Sequence, residues 1–167
     1  MATGSVQTGT EPNLRVGSGL MALAGVGFIG YGVIFFILNF SDDFLELGIT
    51  TEQVPVTRDE IKQFSPELFE YVSHLHIAIA GFLIALGVAL AALAWLGVQN
   101  GQRWAWWTAV VTAVLAVGVA LPAHYPNDFD TIEHLGPIYL AVAIFVVGAL
   151  LTLRVAVPRP GVHRPGE

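Results

Sequence analysis

The chain has 167 residues, 54% of them hydrophobic and only 12% charged, and a formal net charge of −6. A soluble domain carries about 25% charged residues, so this composition excludes one, and the acidic balance disfavours nucleic acid as a partner. The absence of cysteine excludes disulfides, thiolate metal ligands and dithiol redox chemistry, which leaves histidine and carboxylate as the available ligands.

Residues 1–16 are polar and are expected to form a disordered cytoplasmic tail. The apolar run from Gly17 to Phe40 is too long for a cleaved signal and ends in FFILNF with no small-x-small site, so a transmembrane helix is expected. Ser18, Gly25, Gly32 and Asn39 recur every seven residues, with Ala22 on the same side. Small residues let helices approach closely in lipid, so this stripe predicts an interhelical seam ending at Asn39.

In the connection that follows, Thr57 and Glu60 have capping-box spacing and predict a short helix. Ser65 and Pro66 then have the form of a cap and first position for a second helix reaching about Val98. Such a helix is roughly 50 Å long, so its first turns project beyond a crossing over 75–98 and carry Glu67, Glu70 and His74 along one side. Ala78, Gly81, Ala85, Ala89 and Ala92 form a small stripe opposite Ile79, Leu83, Leu86, Leu90 and Leu93. By the close-approach argument the small stripe should face the bundle, taking His74 inward and sending His76 toward the headgroups.

A third crossing is read at 104–121. Trp95, Trp104, Trp106 and Trp107 cluster near its start, where amphipathic rings anchor helices at a membrane interface. A fourth is read at 135–155. Stepping back from Thr152 through Gly148 and Ala141 brings the same face to His134, although Pro137 intervenes and can kink the helix. Asp130 and Glu133 are the expected cap and box of that helix, and His124 follows Pro122 at the end of the third. Residues 156–167, with His163, are expected to form a second disordered cytoplasmic tail.

Arg15, Arg103, Arg154, Arg159 and Arg164 fall on one side of four crossings, which the positive-inside bias makes cytoplasmic. The expectation is therefore an all-α integral membrane four-helix bundle, a single domain over 17–155 with both termini cytoplasmic and a short helix in its first outer loop. Arginine exceeds lysine six to one and the outer loops are acidic, which fits a GC-rich or salt-adapted prokaryote, with the chain integral to its cell membrane.

Asn39, His74 and His134 converge at the outer end, with His124, Glu70 and Glu133 in reach. Three roles follow for this cluster. The leading expectation is a non-catalytic accessory subunit, or a lipid- or ligand-binding module, that meets membrane lipids and a larger complex or a second copy of itself. The first alternative is a divalent metal held by His74, His124, His134, Glu70 and Glu133, or a haem held by Asn39, His74 and His134. The second is an enzyme acting on an amphiphile with Glu70 and His74 as acid and base. No charged side chain lies at membrane depth, which disfavours ion-coupled transport.

Overall fold

In a computed structural model of the chain, the described residues are 12–41 and 44–157. Most of the N-terminal tail, Asp42, Asp43 and residues 158–167 with His163 lie outside them. Six α-helices follow in order: α1 (Pro12–Leu38), α2 (Arg58–Phe64), α3 (Pro66–Ala92), α4 (Arg103–Ala120), α5 (Ile132–Leu151) and α6 (Leu153–Ala156). A π-helical turn over Leu93–Gly97 and a 3-10 turn over Val98–Asn100 continue α3. Four of these segments, Pro12–Leu38, Pro66–Asn100, Arg103–Ala123 and Ile132–Leu151, are long and apolar enough to cross a membrane, and no strand occurs among the described residues. The chain is thus an all-helical protein with four candidate membrane spans. Helix α1 begins at Pro12, so residues 12–16, expected in the tail, are helical instead.

Helix α1 lies between α3 and α5, and its seam of small residues explains why. Ser18, Gly25, Gly32 and Asn39 are all buried. A Cβ on Gly25 would fall 2.7 Å from the Gly87 carbonyl oxygen, and one on Gly32 would fall 2.9 Å from that of Ala80, so the α1 and α3 backbones touch there. Gly17 and Gly148 make the equivalent approach between α1 and α5.

The face that α3 turns inward differs from the sequence expectation. Ala80, Gly87, Leu90 and Ala94 are buried, whereas Gly81, Ala85, Ala89 and Ala92 are not, and His76 instead of His74 continues the buried stripe. Small residues occur all around this helix, and the set that repeats every seven residues is the one that matches the heptad of α1.

Helix α4 stands apart, packing mainly on the π-helical turn of α3 and, near its start, on α6. A cleft of about 490 Å³ opens between α4 and α5, lined by apolar side chains with Trp106 at one end. Trp106 is buried, and its indole N–H donates to Thr152 Oγ1 at 3.1 Å and the Ala149 carbonyl at 3.3 Å, so it ties α4 to the end of α5. The other three tryptophans are exposed, as interfacial anchors are. Trp106→Phe removes the donor and is expected to lower stability by about 1 kcal/mol. The measurement is the midpoint of denaturation from detergent micelles, with the exposed Trp104→Phe expected to leave it unchanged.

Short helix α2 is held by its capping box. Glu60 N–H donates to Thr57 Oγ1 at 3.3 Å, while the Glu60 carboxylate accepts from the Thr57 N–H at 2.8 Å and hydroxyl at 2.9 Å. Those bonds hold the Glu60 carboxyl below its usual range, so the box is complete at neutral pH and loosens only as the pH falls through that lowered value.

Candidate metal centre

The end of the bundle where α1 stops and α3 and α5 begin is closed by residues 44–49. Phe44 is buried and acts as a plug, its ring 5.1 Å from those of both Phe69 and His76. Gly48 adopts φ +79°, a left-handed conformation that glycine takes without steric cost. A Cβ there would fall 2.6 Å from the Glu133 carbonyl oxygen, so this turn presses the loop against the first turn of α5. Glu46 and Leu47 are thereby carried to His134.

Helix α5 is capped by Thr131, whose hydroxyl accepts from the His134 N–H at 3.3 Å. Asp130, the cap expected from sequence, lies one residue too early. The Thr131 cap fixes the first turn and with it the His134 ring, which is 1% exposed. His134 Nδ1 lies 2.7 Å from the Leu47 carbonyl, and its Nε2 lies 3.4 Å from Glu46 Oε2. His124, in the turn after α4, has its ring centre 5.1 Å from that of His134, the two planes tilted by 35°, and places its own Nδ1 3.0 Å from the Ala120 carbonyl.

These contacts determine the tautomers. A carbonyl oxygen only accepts, so in both histidines Nδ1 carries the hydrogen and Nε2 is the nitrogen left for another partner. At His134 that nitrogen faces a carboxylate. A lone pair against an anion is repulsive, so a positive charge belongs between them, either a proton or a metal ion. One ligand atom from each of Glu46, His124 and His134 lies within 4.8 Å of the others, close enough to share one ion. Imidazoles whose second nitrogen is held by a backbone carbonyl are the usual form of metal-ligating histidine.

A cavity of about 130 Å³ adjoins the three side chains, and His76 lines it as well. His76 is held between Phe35 at 4.9 Å and Phe44, and its Nδ1 is buried with no hydrogen-bond partner.

Of the six candidates read from sequence, the structure brings His124 and His134 together. Asn39 lies in the α1–α3 seam, where its amide donates to Ser73 Oγ at 2.9 Å and its Oδ1 is buried without a partner. His74, Glu70 and Glu133 are exposed, so neither the Glu70–His74 pair nor Glu133 converges on the histidines. Glu46 and His76 are not among those six. The small-residue stripe sends His76 to the wrong side of α3, and Glu46 is identified only by the loop that carries it. The apolar alternation of Phe44, Leu45, Leu47 and Ile49 around it is a signal that the loop folds back onto the bundle. No protein family, curated protein or solved structure matches the chain, so the geometry stands alone.

Proposed function

We propose that this protein is a membrane-embedded metal-binding protein whose centre is formed by Glu46, His124 and His134. The observation that carries the reading is the pair of imidazoles with Nδ1 held by backbone carbonyls and Nε2 free, together with a carboxylate within 3.4 Å of one of them. Two nitrogens and one carboxylate oxygen suit a first-row divalent ion, zinc above all, and disfavour calcium or magnesium, which take oxygen. Three protein ligands leave one position of a tetrahedral ion open, the arrangement of ions that hold water or substrate. The 130 Å³ cavity beside His76 has room for that water and none for a porphyrin, which favours an ion over haem. We place the centre on the extracytoplasmic side of the cell membrane, from the distribution of arginines.

Under this reading the ion ties the loop after α1 to α4 and α5, a role suited to an accessory or ligand-binding subunit. The deciding experiment is elemental analysis of protein purified without an affinity metal. About one equivalent of zinc or another transition ion per chain is expected. Metal-free protein that takes up none on addition of zinc would leave a proton as the bridging charge and overturn the reading.

A further inference from the structure

A second cavity, of about 390 Å³, lies on the other side of the loop that carries Glu46. Leu38, at the end of a membrane-spanning helix, and Val56 form part of its apolar wall, while Thr50, Thr51, Thr57 and Arg58 supply polar groups. Arg58 and Lys62 are the only arginine and lysine between Arg15 and Arg103 in a chain of net charge −6. Both lie over the ring of Phe69, at 5.3 and 5.8 Å from its centre. Among the described residues neither is paired with a carboxylate.

Of the carboxylates that follow Arg58, Glu60 is engaged by Thr57 and Glu67 by Ser65 Oγ at 2.9 Å, while Asp59 is exposed and forms no ion pair with either cation. Arg58 Nε is buried and has no hydrogen-bond partner among the described residues, an arrangement that costs stability unless something supplies an acceptor. A guanidinium stacked on an aromatic ring keeps its in-plane N–H groups free for a planar or tetrahedral oxyanion.

We infer that this cavity binds the anionic phosphate headgroup of an amphiphile, with Arg58 as the oxyanion ligand and the Leu38 and Val56 wall against its acyl portion. An apolar wall beside a cation that forms no ion pair among the described residues, at the end of a candidate membrane span, matches a molecule with both parts. Glu46 also lines this cavity, but its carboxylate lies 3.4 Å from His134 Nε2, and neither histidine of the proposed metal centre lines the cavity, so substitution at a histidine separates the two readings.

The test uses the full chain purified in detergent and supplied separately with phosphatidic acid, with phosphatidylcholine and with inorganic phosphate, bound lipid being read by native mass spectrometry. Phosphatidic acid is expected to be retained about tenfold over phosphatidylcholine, as a charge-assisted hydrogen bond allows. Arg58→Gln is expected to abolish that preference, Arg58→Lys to keep part of it, and Arg103→Gln to leave it intact, with helicity unchanged in each. His124→Ala, which tests the metal centre without loosening the loop that lines this cavity, is expected to keep it too, so failure of one reading is separable from failure of the other. Equal retention of the two lipids, or an Arg58→Gln protein that behaves as wild type, overturns the inference. Arg58-dependent binding of inorganic phosphate without enrichment of phosphatidic acid overturns the amphiphile and identifies a free oxyanion as the ligand.

Discussion

Replacing His134 by alanine is expected to weaken binding of the metal ion by about a hundredfold or more, since loss even of a supporting group costs ten- to a hundredfold. His134 is one of the largest fully buried side chains, and it also fastens the loop through its 2.7 Å bond to Leu47. A loss of metal in that variant alone therefore has two readings, a missing ligand or a displaced loop. His124→Ala separates them. His124 Nδ1 bonds only within its own segment, to Ala120, so truncation removes a ligand and leaves the loop seated. Both variants, titrated with zinc against a competing chelator, are expected to lose affinity, and the exposed His74→Ala is expected to match wild type. Retention of wild-type affinity by His124→Ala would remove that residue from the centre, and retention by both would dissolve the centre itself.

The largest expected effect on stability lies in the seam between α1 and α3. Gly25 and Gly87 face each other so closely that a Cβ on Gly25 meets the Gly87 carbonyl oxygen at 2.7 Å and the Ala91 nitrogen at 2.8 Å. Both obstacles are backbone atoms, which have no rotamer to adopt, so the helices must part along their length. Gly25→Leu is expected to cost about 3 kcal/mol, in the range of overpacked interiors, because contact between α1 and α3 comes from close packing in the absence of any hydrophobic drive in lipid. Gly81→Leu is the control. Nothing lies within 4 Å of a Cβ there, and the expected change is within about 0.5 kcal/mol. Reversible denaturation in mixed micelles measures both, and equal midpoints for the two variants would remove the seam as the main contact.

The fold was legible where a single physical pattern had a single solution. The heptad Ser18–Gly25–Gly32–Asn39 had no competing stripe on α1, and its burial follows directly. Counting back from Thr152 located His134 correctly because α5 runs through Pro137 as a continuous helix. On α3 small residues occupy two faces, and size alone chose the wrong one. The partner heptad Ala80–Gly87–Ala94 is identified by its register with α1, a relation between helices and not a property of either. One of the three ligands was hidden for a similar reason. Glu46 reaches His134 only because Gly48 turns with φ +79° and Phe44 plugs the bundle, and neither the direction of that turn nor the depth of that plug is written in the residues around Glu46.

The bond between His134 and the Leu47 carbonyl joins positions 87 residues apart. Glu46 and Leu47 emerge from the ribosome after the first span and His134 at the start of the last, so the two halves of the centre are separated in time by the synthesis of everything between them. An ion held as proposed would therefore enter a nearly finished chain, and any product that stops before α5 carries the loop without its His134 anchor. Under the proposed metal-binding reading, capture of the ion would distinguish a closed end of the bundle from an open one.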